Sequence, residues 1–184
     1  RTRPSAPVRC GGHPVDMAPI LDLAERYHLE IIEDCAHGIE GEYRNKPLGT
    51  MGMAGSFSFY PTKNITTGEG GMVTCRDAEV ARKIRLLSNH GLDKGTFERT
   101  QIDGVPLYDV LLPGYKCNMT DLQAALGLAQ MERLEAMYLR RVELRKIYES
   151  RFLKRHEVTV IGQDPKGKSA LHLFMLLLDP NQLS

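Results

Sequence analysis

The feature that most limits how this chain can fold is an alternation of short apolar runs with amphipathic stretches. "LEIIE" (Leu29–Glu33), "SFSF" (Ser56–Phe59) and "GMVTC" (Gly71–Cys75) are strand-sized and rich in β-branched or aromatic residues. Between Val15 and Tyr27 the apolar positions Ile20, Leu21, Ala24 and Tyr27 recur at helical spacing. A second helix is predicted over "DAEVARKIRLLSNHG", with Asp77 as its cap and Gly91 as its stop. Strands alternating with helices predict an α/β layer built on a largely parallel sheet. A short strand is expected near Ala6–Arg9, and "GEYRNKPLG" reads as a solvated turn or hairpin.

Residues 92–114 carry little periodicity and read as a long loop, which is uncommon unless functional. Thr120 with Gln123 then forms a capping box that opens a long helix from Asp121 to about Glu149. Its apolar face includes Leu122, Leu126, Ala129, Leu134 and Tyr138. After Arg155 the runs "VTVI" and "LHLFMLLL" return the chain to strands.

Composition narrows the function classes. The 184 residues carry a formal net charge of +1, and no Lys/Arg block is present to track a polyanion. No nucleic-acid partner is implied. No run of apolar residues reaches the length of a membrane-spanning helix, and no export signal is visible, so a cytoplasmic protein is expected. Cys10, Cys35, Cys75 and Cys117 are scattered without paired ligand spacing, which reads as reduced thiols and not as a metal site.

Ligands of open α/β sheets bind outside the carboxyl ends of the strands. Asp34 stands at one such end, after "LEIIE", and Lys63 just beyond another, after "SFSF". The plainer reading of the two is a salt bridge or a solvated loop lysine. Their surroundings favour a ligand site: Pro61 stiffens the approach to Lys63, and "TTGEGG" supplies small residues and backbone amides for close approach. A desolvated lysine amine suits Schiff-base chemistry. A carboxylate such as Asp34 suits the protonated ring nitrogen of pyridoxal 5'-phosphate (PLP).

The blocks "IIEDCAHGIEGEYRNKPLGTMGMAGSFSFYPTKNITTGEGGMVTC", "NHG" and "GYKCNMTDLQAALGLAQMERLE" resemble the DegT/StrS family of sugar aminotransferases. The resemblance runs from "GHPVDMAPILDLA" to "LHLFMLLLDP" and implies a three-layer α/β/α fold-type I PLP enzyme. It implies that Lys63 forms the internal aldimine and moves the proton, that Asp34 pairs with the pyridine nitrogen, and that His37 packs on the cofactor ring. It further implies that Ser58 bonds the cofactor phosphate and that Asn118 reaches that phosphate from the partner subunit of a homodimer. Related dehydratases carry His in place of the lysine, so Lys63 favours amino transfer. The implied donor is glutamate or glutamine, the acceptor a nucleotide-linked keto sugar. "GVPLYDVLLPGYKCNMTD" leans toward amination at C4 over C3.

Family members are about twice this long, so the chain is expected to be an incomplete large domain at 1–120, a connecting helix at 121–155 and the opening of a small C-terminal domain at 156–184. An inactive fragment serving as an assembly module is the alternative. A second motif, "GQDPKGKS" (Gly162–Ser169), fits the P-loop pattern, but that pattern needs a helix after it and the run that follows reads as a strand. The glycines of "GTMGMAG" are not spaced for a dinucleotide fingerprint and read as a tight entry into the Ser56 strand.

Overall fold

The structure, a computed structural model, describes residues 4–93, 108–162 and 164–182. Its main sheet has the order β1 (Pro4–Ser5), β2 (Glu30–Asp34), β5 (Ala54–Ser58), β6 (Gly71–Cys75). The first three strands run parallel, and β6 is antiparallel to β5. The strand expected at Ala6–Arg9 falls slightly earlier, and its continuation meets β2 through a parallel bridge from Val8 to Asp34. The Asp34 N–H donates to the Pro7 carbonyl at 3.1 Å, and the Arg9 N–H to the Asp34 carbonyl at 3.0 Å.

Helix α1 (Met17–Tyr27) covers β2 and buries Met17 and Ala24 in a cluster with Ile31, Cys35, Tyr43 and Leu48. Helix α2 (Ala78–Ser88) packs along β6, and its start is fixed as expected: Asp77 Oδ1 accepts the Glu79 and Val80 N–H groups at 2.8 and 2.9 Å. "GEYRNKPLG" is a hairpin of β3 (Glu42–Tyr43) and β4 (Lys46–Pro47). Arg44 and Asn45 both have positive φ at its two-residue turn, the backbone that matches strand twist.

The Gly49–Gly55 stretch is the expected tight entry into β5. A Cβ on Gly52 would lie 2.5 Å from the Ile31 carbonyl oxygen, and one on Gly55 2.4 Å from the Gly49 Cα.

The long helix differs from expectation. It is two helices, α3 (Asp121–Met131) and α4 (Leu134–Phe152), although neither Gly nor Pro stands at the break. Arg133 adopts φ −102°, ψ 0°, and its N–H bonds back three residues to Gln130 at 3.1 Å, a 3₁₀-type closure of α3. The capping box of Thr120 and Gln123 is present as read. The apolar face given to this region is only partly covered: Leu122 is 86% exposed, and Leu126 and Leu128 are also exposed.

Past Arg155, β7 (Val158–Val160) pairs antiparallel with β9 (Leu176–Leu178). The run "LHLFMLLL" is therefore a strand only in its last part, and Ala170–Met175 is irregular. Between these strands, β8 (Gly167–Lys168) pairs antiparallel with β3 and ties the C-terminal segment back to the first hairpin. The P-loop candidate ends in that strand, and no helix follows it among the described residues. Part of the 92–114 loop, residues 94–107, lies outside the described residues; the rest is held by bridges from Leu92 to Val110 and from Asn89 to Lys116.

Candidate active site

Parallel pairing of β2 and β5 sets Asp34 opposite Ser56, so both strands deliver their carboxyl ends to one edge of the sheet. Asp34 closes β2, and its Oδ1 accepts the Ala36 N–H at 3.0 Å, which turns the chain toward His37. Ser58 closes β5, and its Oγ accepts the Tyr60 N–H at 3.4 Å.

Beyond Ser58 the chain makes a compact loop. The Lys63 N–H bonds the Tyr60 carbonyl at 2.9 Å, while the Phe59 carbonyl accepts the Thr67 N–H at 3.0 Å and the Thr66 hydroxyl at 3.1 Å. Lys63 thus sits on a turn pinned at both ends, half-buried. The direct ion pair between Asp34 and Lys63, the plainer reading of the sequence, is not among the ion pairs of the described residues.

His37 senses both charges. Burial lowers its pKa first, the Lys63 ammonium lowers it further, and the Asp34 carboxylate opposes them. The imidazole is therefore kept neutral between an anion and a cation that do not touch each other.

Four of the five residues read from the sequence gather at this edge: Asp34, His37, Ser58 and Lys63. Asn118 does not. It is exposed before α3, and its Oδ1 accepts from Lys116.

The structure adds a set that the sequence reading passed over. His172 stacks on His37 with ring centroids 4.3 Å apart and planes 26° from parallel. Its Nδ1 lies 2.8 Å from Asn64 Oδ1, next to the lysine. The Asn64 amide reaches Glu40 and Ala170, and Glu40 pairs with Arg141 of α4.

Beneath the edge, Arg9 and Glu33 are fully buried, joined at 2.6 Å. The one available signal for Glu33 was its register: it shares the inward face of β2 with Ile31, and the glycine-rich loop at 49–52 offers free N–H groups.

Comparison with known proteins places these features in a family. Residues 1–183 match the DegT/DnrJ/EryC1/StrS aminotransferase family. The spore coat polysaccharide biosynthesis protein SpsC of Bacillus subtilis is 44% identical over 179 residues, 97% of this chain and 46% of that protein. The UDP-4-amino-4-deoxy-L-arabinose–oxoglutarate aminotransferase of Shewanella sediminis is 38% identical over 181 residues, 98% of this chain and 46% of the enzyme. Among solved structures, Spr1654 of Streptococcus pneumoniae, assigned as a sugar aminotransferase and seen in its PMP form, superposes with a TM-score of 0.88 at 29% identity. That match covers 97% of this chain and 50% of the other, so the chain spans about half the length of the relatives it matches. The architecture is that part of a fold-type I PLP-dependent transferase, and Spr1654 is seen in both a PMP form and a PLP form. The chain belongs to the DegT/DnrJ/EryC1/StrS aminotransferase family.

Proposed function

We propose that this chain forms the cofactor-binding part of an aminotransferase that moves an amino group from glutamate or glutamine to a nucleotide-linked keto sugar, at C4 in preference to C3. The observation that carries the reading is the arrangement of Asp34 and Lys63: opposite charges at one sheet edge, unpaired with each other, with a neutral imidazole sensing both. That donor set suits PLP. The group, when bound, withdraws electrons from a carbon bearing the transferred nitrogen.

The chain's own residues then divide the work. Lys63 Nζ would hold the cofactor through its aldehyde, and its free amine would serve as the base that moves the proton during amino transfer. Asp34 would face the ring nitrogen and its carboxylate would keep that nitrogen protonated. His37 offers a neutral ring face, and the Ser58 hydroxyl stands at the carboxyl end of β5 for the phosphate. Asn118, exposed before α3, is assigned to the phosphate of a partner subunit in a homodimer, and the exposed Leu122, Leu126 and Leu128 of α3 suit a covered face. The C4 preference draws on the similarity to an enzyme named for a 4-amino sugar. The same reading divides the chain into large-domain residues 1–120, connecting helices at 121–155 and a small-domain opening at 156–184, in a cytoplasmic enzyme. No helix among the described residues is long and apolar enough to cross a membrane.

The test is borohydride reduction of the protein after incubation with PLP, followed by peptide mass mapping. A pyridoxyl mass on Lys63 is expected, absent in Lys63→Ala. An adduct on another lysine, or none on the protein at its native length, would overturn the reading. Coupled assays with 3-keto and 4-keto nucleotide hexoses decide the carbon.

A further inference from the structure

His37 is held from two sides. Its Nδ1 accepts the Gly11 N–H at 3.3 Å, and one face of its ring is covered by His172. A planar group can meet only the other face. His172 is itself anchored beside Lys63, because its Nδ1 lies 2.8 Å from Asn64 Oδ1.

The protons can be placed. The Asn64 Nδ2 donates to Glu40 Oε2 at 2.6 Å and to the Ala170 carbonyl at 2.9 Å. A carboxylate and a carbonyl only accept, so the amide nitrogen is fixed on that side and Oδ1 faces the imidazole. His172 Nδ1 therefore carries its proton, and its Nε2 is bare. In His37 the nitrogen that accepts from Gly11 is Nδ1, so the neutral ring carries its proton on Nε2. The stacked rings hold opposite tautomers.

Charge supports the arrangement. Burial, then His37, Lys63 and Arg141, press His172 down to about 4, so it is neutral at physiological pH. Glu40, which holds Asn64, is closed from the far side by Arg141. The His172 N–H is satisfied far from its own segment. It reaches 108 positions back along the chain, to the neighbour of Lys63.

We propose that His172 is a positioning residue for the site: its ring backs His37 and fixes that ring's plane, which keeps Nδ1 on the Gly11 N–H and so preserves the Nε2–H tautomer, and through Asn64 it couples His37 to the turn that carries Lys63. The inference rests on the PLP reading of that edge. It makes the irregular 170–175 segment part of the site's support, although it follows two helices in sequence.

Two substitutions that fill the space separate the ring from mere volume. His172→Phe keeps a stacking face, and His172→Leu does not. In the cofactor-free protein at native length, long-range proton–nitrogen NMR of His37 should report one Nε2–H tautomer in wild type and in His172→Phe. A mixture is expected in His172→Leu. In the PLP-loaded protein, His172→Leu should lower kcat by on the order of tenfold to a hundredfold, with KM little changed and visible circular dichroism altered. His172→Phe should recover the part of that loss that depends on the stacked face, and not the part that depends on the Asn64 bond, which phenylalanine cannot make. A His37 tautomer, dichroism and kcat unchanged in His172→Leu would overturn the proposal, as would a Phe variant no better than Leu. If wild type takes no pyridoxyl group on Lys63, the PLP reading fails, and the tautomer measurement still decides whether His172 orders His37.

Discussion

Arg9 and Glu33 form an ion pair at 2.6 Å with both side chains fully shielded from solvent, and Glu33 does more than neutralise the arginine. Its Oε2 also accepts the Gly49 N–H at 3.0 Å, and its Oε1 accepts those of Met51 and Gly52 at 2.7 and 2.8 Å. One carboxylate therefore folds the loop that enters β5 and stands next to Asp34. Arg9 is less well served: Nη2 reaches Glu33 and Met17 Sδ, while Nε and Nη1 are buried without partners among the described residues.

Removing one partner of a buried pair leaves an uncompensated charge, so Arg9→Met should lower stability by about 3–5 kcal/mol. Many buried pairs can be replaced together by apolar residues at little loss. That rescue should fail here, because Arg9→Met with Glu33→Leu orphans the three loop N–H groups. Urea unfolding of both variants checks this. A double variant as stable as wild type would show that the loop does not depend on Glu33.

Asp34→Asn keeps an oxygen for the Ala36 N–H and removes the charge. The turn toward His37 should therefore survive, with an unchanged melting temperature. The pyridoxyl tag on Lys63 should still form, while turnover falls by at least about tenfold, equivalent to 1.4 kcal/mol of barrier. Undiminished turnover would remove Asp34 from the site.

The parts of this molecule that were legible in the sequence are those where local chemistry and the final contact coincide. Asp77 and the Thr120–Gln123 box cap helices through bonds made within a few residues, and Asp34 and Lys63 announce themselves at strand ends. Glu33 was not legible because its partners come from Arg9 before α1 and from a loop after β4, and a charged residue ending "LEIIE" reads as solvated. His172 was hidden inside an apolar run that reads as a strand, yet the backbone there is irregular and serves the Asn64 contact. The break between α3 and α4 carries no Gly or Pro to mark it.

Cysteine reactivity should follow depth. Cys35 is 1% exposed, and burial, followed by the Glu33 charge, pushes its thiol up to about 12. The thiolate is the nucleophile, so Cys35 should resist iodoacetamide at pH 8 in the folded protein. Cys10 and Cys117 are exposed and should label first. Mass mapping before and after denaturation checks the order, and early labelling of Cys35 would show that the core beneath Asp34 opens.

Asp16 joins three separate parts of the fold. It precedes α1, its Oδ2 meets Lys166 Nζ at 2.6 Å in the turn before β8, and its Oδ1 accepts the Tyr43 hydroxyl of β3. The Lys166 bond first, and the Tyr43 bond second, hold its carboxyl at about 2, below the ordinary 3.8. A carboxyl depressed on folding stabilises above its unfolded pKa and loses that contribution as pH falls through the folded one. The window is therefore pH 4 to 2. The same bond raises Lys166, so stability should also be lost as pH rises beyond the ordinary lysine range. Wild type should have a higher urea midpoint than Asp16→Asn at pH 7, and the gap should close as pH falls from 4 to 2. A gap that stays constant across that range would mean that Asp16 acts through packing and hydrogen-bond geometry, with its charge contributing nothing to the union of α1, β3 and β8.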